Sequence, residues 1–156
     1  GTDGKRKPNI INSLYLSPEE LEKHNIKLQA KYEKMKENEV KVESFNIEEA
    51  DIVIAAYGTT SRIARTAIAQ LEEEGYKVGL IRPITLWPYP YDEFKKINKN
   101  CRGILTVEMN TGQMTDDIKI AVEGRHPVHF YGRTGGMAPT PGEIIEKVKE
   151  IYGGEA

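Results

Sequence analysis

Few side chains in this sequence are of types that do chemistry, and fewer stand at spacings that let them cooperate. Cys101, between Asn100 and Arg102, is the lone thiol, and it reads as a small residue at a strand entry rather than as a nucleophile. His126 and His129 flank Pro127 with no carboxylate constellation beside them, which is short of a metal-ligand set. His24 sits in a stretch dense in Lys and Glu and reads as solvated. Glu108 opens the polar run Glu108-Met109-Asn110-Thr111-Gly112-Gln113 directly after an apolar segment. If that segment is a strand, its carboxyl end is where open α/β sheets hold ligands, and a carboxylate there serves either as a general base or as the centre of a turn network. Gly58-Thr59-Thr60-Ser61 reads either as a helix N-terminus open to an anion or as a tight turn with hydroxyl caps. Arg133-Thr134-Gly135-Gly136 is either a contact for an anionic group or an ordinary glycine loop.

The elements that place these residues follow from spacing. Ser17-Pro18-Glu19-Glu20 predicts a helix start, with Ser17 as N-cap, Pro18 at the first helical position and Glu20 closing a capping box. The helix runs to about Asn38 on a thin stripe of Leu21, Leu28, Tyr32 and Met35, the pattern of a helix on the outside of something larger. Val40-Lys41-Val42-Glu43 alternates as an edge strand does. From Asp51 to Tyr57 the chain is continuously apolar, the mark of a strand covered on both faces. A helix with Ile63, Ala64, Ala67, Ile68 and Leu71 on one face follows and is closed by Gly75. Lys77–Arg82 and Gly103–Glu108 are further strands, and a helix from near Thr111 to Val122 separates the latter from a last strand, Val128–Tyr131. Thr140-Pro141-Gly142-Glu143 is a second capping box, opening a helix that turns Ile144, Ile145, Val148 and Ile151 inward and stops at Gly153. Pro83, Pro88 and Pro90 forbid regular structure between them. Strand and helix alternating in this way predict a three-layer α/β/α fold around a mostly parallel sheet.

Composition narrows the function classes. With 156 residues, 38% hydrophobic and 29% charged, the chain builds one real core. Its 22 Lys and Arg against 24 Asp and Glu leave a net charge of −2, which argues against nucleic acid as a partner. A single cysteine excludes a disulfide scaffold, a four-thiolate zinc site and a self-contained iron–sulfur cluster. No apolar run approaches the roughly 20 residues of a membrane span, so the expectation is a soluble, cytoplasmic chain without a membrane partner. The opening Gly1-Thr2-Asp3-Gly4-Lys5-Arg6-Lys7-Pro8 reads as linker, either in a piece of a longer polypeptide or after processing. The expected organisation is linker over 1–16, linking helix over 17–39, and an α/β domain over 40–153.

Four segments together carry a resemblance: Arg82-Pro83-Ile84-Thr85-Leu86-Trp87-Pro88-Tyr89-Pro90, Ala56-Tyr57-Gly58-Thr59-Thr60, Val107-Glu108-Met109-Asn110-Thr111-Gly112-Gln113-Met114, and Tyr131-Gly132-Arg133-Thr134-Gly135-Gly136. They resemble the C-terminal part of the alpha-type subunit of the 2-oxoacid:ferredoxin oxidoreductases. The likeness is strongest to the 2-oxoisovalerate (3-methyl-2-oxobutanoate) branch, which shares a linker and helix similar to Asn12-Ser13-Leu14-Tyr15-Leu16 and Pro18-Glu19-Glu20-Leu21. The resemblance implies the fold of the transketolase C-terminal domain, a five-stranded mixed sheet whose first strand, here Val40 to Phe45, runs antiparallel. It implies a complex that converts 2-oxoacid plus CoA to acyl-CoA, CO2 and reduced ferredoxin, using thiamine diphosphate, magnesium and iron–sulfur clusters. The family's cofactor-contacting residues lie in other domains and subunits, and its Tyr-Pro-Ile-Thr-Pro motif has no counterpart here; Arg82-Pro83-Ile84-Thr85 is similar only in part. No catalytic, cofactor-binding or metal residue carries over, and no cofactor is expected in this chain.

The expectation is therefore a non-catalytic domain that organises interfaces with the remaining domains and subunits, and with ferredoxin through the complex. The alternative is a stand-alone anion- or nucleotide-binding α/β module using Thr59, Thr60 and Arg133. Candidate interface or loop-face residues are Thr59, Thr60, Arg82, Trp87, Tyr89, Glu108, Asn110, Gln113 and Arg133. Within the proline loop, Trp87, Tyr89 and Tyr91 read as rigid docking aromatics, with burial of Trp87 in the core as the competing reading.

Overall fold

The computed structural model describes residues 3–9 and 14–154. Asn12 and Ser13 of the linker similarity, together with the rest of 10–13 and residues 1 and 2, lie outside the described residues. The chain divides into two compact units, Gly1–Asn38 and Glu39–Ala156.

In the first unit, helix α1 spans Pro18–Asn38. Ser17 caps it by accepting from Glu20 N (3.4 Å), while its own hydroxyl donates to the Glu19 carboxylate (2.8 Å), so the acid that answers the cap is Glu19 and the box expected with Glu20 is half made. No residue of α1 is buried; Leu28, Tyr32 and Met35 are half-buried and Leu21 is exposed. His24 is not merely solvated: its ring stacks on Tyr15 at 4.6 Å and its Nδ1 lies 3.1 Å from the Tyr15 hydroxyl.

The second unit holds a five-stranded sheet in the order β1-β3-β2-β4-β5. Its strands are β1 (Val42–Phe45), β2 (Ile52–Ala55), β3 (Val78–Pro83), β4 (Gly103–Glu108) and β5 (Val128–Gly132). The edge strand β1 is antiparallel to β3, with Glu43 opposite Arg82, and every other pairing is parallel. β2 and β4 are buried at every position, as the continuous apolar runs require of strands covered on both sides.

Alternate strand residues feed two cores. On one face Ile52, Ile54, Leu80, Leu105 and Val107 pack against α2 (Gly58–Glu73) and α4 (Pro141–Gly153) through Ala64, Ala67, Leu71, Ile144 and Val148. On the other face Val53, Ala55, Ile81 and Ile104 pack against Met114, Ile118 and Ala121 of α3 (Gln113–Val122) and against Phe94. The helix expected from Thr111 starts two residues later because Gly112 sits at φ +102°, a left-handed turn that precedes the helix and that glycine adopts without strain. Phe94 belongs to a 3-10 helix, Tyr91–Lys96, to which the sequence pattern assigns no element. In that helix residues three apart eclipse, and the i,i+3 pairs Asp92–Lys95 (2.6 Å) and Glu93–Lys96 (2.7 Å) use that alignment. The capping box at α4 is complete: the Thr140 hydroxyl accepts from Glu143 N (3.3 Å) and the Glu143 carboxylate accepts from Thr140 N (2.7 Å).

Candidate functional site

From β2 the chain crosses through α2 to β3 on one side, while β4 pairs on the other side of β2. The carboxyl ends of β2 and β4 therefore flank the point where strand order reverses, the place at which open α/β sheets bind ligands. Tyr57, Gly58, Thr59 and Thr60 leave β2 there, and Glu108 to Gln113 leave β4.

The polar groups at this crevice are engaged with one another. Glu108 is fully buried; its carboxylate accepts from Met114 N (2.9 Å), Thr115 N (3.1 Å) and the Thr115 hydroxyl (3.0 Å). Asn110 Oδ1 accepts from Gly112 N (2.8 Å) and Gln113 N (3.2 Å), so Glu108 and Asn110 together take up the first amides of α3, where an acceptor with negative charge is most favourable. Asn110 Nδ2 donates across the crevice to the Tyr57 hydroxyl oxygen (3.3 Å). Glu108 thus caps α3 from inside the fold. At the start of α2, Thr60 and Ser61 donate to the carbonyls of Tyr57 (2.9 Å) and Gly58 (2.7 Å). The hydroxyl caps expected there are replaced by hydroxyls bonded to carbonyls, and Thr60 is buried.

The remaining candidates lie apart from this crevice or beside it. Arg133 Nη1 is bonded to Glu143 (2.6 Å) and Arg133 N donates to Glu108 O (3.1 Å), so the loop after β5 is tied to both α4 and β4. Hydrogen bonding with Tyr131 and the charge of Glu143 raise the Arg133 pKa. On the far side of β2, Arg82 and Arg65 share Glu43 at 2.9 and 3.2 Å, a network that spans β1, β3 and α2. In the proline loop Trp87 is 51% exposed and Tyr91 39%, whereas Tyr89 is 5% exposed. Tyr89 packs against Phe94 and offers no docking surface, which corrects its expected role: its ring fills the space between the loop and α3. Burial pushes the Tyr89 phenol well above its ordinary pKa, and the charges of Asp117 and Glu108 push it further. Thr59 and Gln113 are exposed; Arg82, Asn110 and Arg133 are half-buried.

These donor sets do not fit the cofactors of a 2-oxoacid oxidoreductase. Cys101 is buried, its thiol donates to Gly103 O (3.3 Å) and burial raises its pKa, whereas a cluster needs several thiolates. Magnesium and a diphosphate need uncommitted carboxylates and amides, and those of Glu108, Asn110 and α3 are spent on each other. Among the described residues no three His, Cys, Asp or Glu are grouped to hold a metal ion, and no helix is long and apolar enough to cross a membrane. His126 is buried with Nδ1 3.3 Å from Cys101 O.

A family model, pyruvate:ferredoxin oxidoreductase core domain II, matches residues 50–144. The chain belongs to this family. The match spans β2 to the first turn of α4 and includes the whole crevice. Ketoisovalerate oxidoreductase subunit VorB of Methanothermobacter thermautotrophicus is 41% identical over 145 residues, which is 93% of this chain and 41% of that subunit. The chain thus spans well under half of the length of that relative. Among solved structures, 2-oxoglutarate:ferredoxin oxidoreductase from Magnetococcus marinus superposes with a TM-score of 0.73 at 29% identity, covering 88% of this chain and 24% of that one. A split-gene transketolase superposes with a TM-score of 0.60 at 17% identity over 73% of this chain and 42% of that one, a likeness of fold alone. The core domain II family therefore has here the three-layer, mostly parallel five-stranded sheet of transketolase-like domains.

Residues that sequence reasoning missed are those defined by long-range partners. Tyr57 accepts from Asn110, Thr115 completes the Glu108 cap, and Glu43 joins Arg65 to Arg82. A signal existed for Thr115 alone: a hydroxyl residue seven positions after a strand-end carboxylate, near a helix start.

Proposed function

We propose that this chain is the C-terminal, non-catalytic domain of the alpha subunit of a 2-oxoisovalerate:ferredoxin oxidoreductase, with residues 17–39 as a linking helix. It holds the domains and subunits of a cytoplasmic complex in register while they convert 2-oxoacid plus CoA to acyl-CoA, CO2 and reduced ferredoxin. The observation that carries this reading is the 41% identity to a ketoisovalerate oxidoreductase subunit across 93% of the chain. Support comes from the crevice: an α/β domain whose switch-point carboxylate and amides are bonded internally is built for scaffolding, so thiamine diphosphate, magnesium and clusters belong to other parts of the complex. The same bonds disfavour a stand-alone nucleotide-binding module. Exposed Trp87 and Tyr91, with Ile84 and Leu86 at 48% and 47%, form the face offered to the rest of the subunit, since rigid aromatics anchor interfaces. Thr59, Gln113 and Arg133 line the loop face beside it.

The test is to purify the native assembly through a tag on this polypeptide, identify what travels with it, and follow CoA-dependent reduction of ferredoxin. Copurification of further oxidoreductase subunits, with 2-oxoisovalerate preferred over 2-oxoglutarate and pyruvate, is expected. A polypeptide that purifies alone, or an assembly that prefers another 2-oxoacid, overturns the reading.

A further inference from the structure

We propose that Thr85 is the positioning residue for the apolar face of Ile84, Leu86 and Trp87, a role that rests on the reading of that face as an interface with the rest of the subunit. The antiparallel pairing of β1 with β3 runs as far as Val42 opposite Pro83, and a proline has no N–H with which to extend the ladder. Thr85 extends it instead. Lys41 O accepts from Ile84 N (2.9 Å) and from Thr85 N (3.1 Å). The Thr85 hydroxyl accepts from Lys41 N (3.0 Å) and lies 3.4 Å from Lys41 O, to which it donates. A hydroxyl can close both bonds because one oxygen donates and accepts.

The proline loop is thereby held at both ends. At its far end Pro88, Tyr89 and Pro90 are buried, the Tyr89 ring packs on Phe94, and the Tyr91 hydroxyl donates to Asp117 Oδ1 of α3 (3.3 Å). That end is fixed by packing. Its near end is not: Lys41, Ile84 and Leu86 are all exposed, so the first limb of the loop is held by the bonds between Thr85 and Lys41 rather than by a core. Leu86 and Trp87 stand between the two ties, both exposed.

The consequence concerns docking more than folding. Apolar side chains on a backbone already in place bind without paying again for order, whereas on a loosened limb each docking event must supply that order. Loss of the Thr85 hydroxyl leaves Lys41 exposed to water, which replaces the missing partners, so the sheet itself loses little. The rest of the same subunit is the occupant: the ketoisovalerate oxidoreductase subunit to which this chain is similar has more than half of its length outside the matched part.

Hydroxyl-radical footprinting of Trp87, read by peptide mass spectrometry in the 156-residue chain and in the native assembly, is the experiment. Trp87 is expected to be protected in the assembly relative to the chain. Thr85→Val, which keeps the shape and removes the hydroxyl, should raise Trp87 oxidation in the assembly about tenfold, the ordering cost of one or two side chains, and Thr85→Ser should restore protection. In the chain, where Trp87 is the only tryptophan, Thr85→Val should increase acrylamide quenching of its fluorescence while the melting profile stays close to that of the wild type. Equal oxidation of Trp87 in chain and assembly overturns the interface reading and the proposal with it. A Trp87 that stays protected in the Thr85→Val assembly, Thr85→Ser behaving as Thr85→Val does, or a Thr85→Val chain whose whole sheet melts early overturns the positioning role alone.

Discussion

Replacing Glu108 by glutamine tests whether the strand-end carboxylate is a cap or a catalyst. The side chain is fully buried and accepts three hydrogen bonds, from Met114 N, Thr115 N and the Thr115 hydroxyl. Glutamine keeps one carbonyl oxygen and turns an NH2 group towards at least one donor, leaving that donor and its own hydrogens without acceptors. Hydrogen bonds to a charged group contribute about 1.5–3 kcal/mol each and an orphaned buried donor costs about 1–3; the lost charge at the helix start adds about 0.3–1. Since these terms overlap, a net cost of about 2–4 kcal/mol is expected. For a chain of 156 residues that lowers the melting temperature by roughly 4–16 °C. Calorimetric melts of the wild type, Glu108→Gln, Thr115→Val and the double variant measure it, and the double-mutant cycle should show coupling of at least about 1 kcal/mol. Amide exchange of Met114 and Thr115 should accelerate along with the loss. A Glu108→Gln protein melting within about 2 °C of wild type, while the assembled oxidoreductase loses turnover, would refute the capping argument and make Glu108 a catalytic group.

Tyr89→Phe should leave the melting temperature level or raise it, because its hydroxyl is buried without a hydrogen-bond partner, whereas Tyr89→Ala should cost about 3–5 kcal/mol and Trp87→Ala less than half as much. The raised pKa of Tyr89 means that the folded state keeps a proton the unfolded chain releases near pH 10; its contribution is complete below that pH and fades as pH rises above it, which alkaline unfolding curves of the wild type and Tyr89→Phe will show. Gly132→Ala should cost about 1–3 kcal/mol in chemical denaturation, since the new methyl meets the Phe130 ring and Asn110 O, 2.6 Å away. The Glu143 pKa is lowered, first by the Thr140 backbone amide, so the cap of α4 is whole above the ordinary carboxylate value of 4.5 and fails as pH falls through the lowered one; hydrogen exchange at Glu143 and Ile144 should quicken there before the sheet amides respond.

Local rules carried the sequence reading a long way. Thr140 and Glu143 are three residues apart, their bonds close within one helical turn, and the box formed as read. The strands β2 and β4 are legible because burial on both faces demands an unbroken apolar run, and the antiparallel β1 was expected from family resemblance. What the sequence could not decide were outcomes set by neighbours distant along the chain. Trp87 and Tyr89 are both aromatics in one proline loop, yet one is half exposed and the other lies against Phe94, because the 3-10 helix that receives Tyr89 depends on packing with α3. Thr60 and Ser61 are residue types that cap helices, but Gly58 at φ +56° starts α2 ahead of them and turns their hydroxyls onto carbonyls. Glu108 has the same composition around it whether it faces solvent or the amides of α3. Only the left-handed turn at Gly112, which folds α3 back over the end of β4, brings Met114 and Thr115 within reach and converts a candidate base into a cap. Hydrogen bonds act over about 3 Å, and which groups come that close is a property of the assembled layers rather than of any window of sequence.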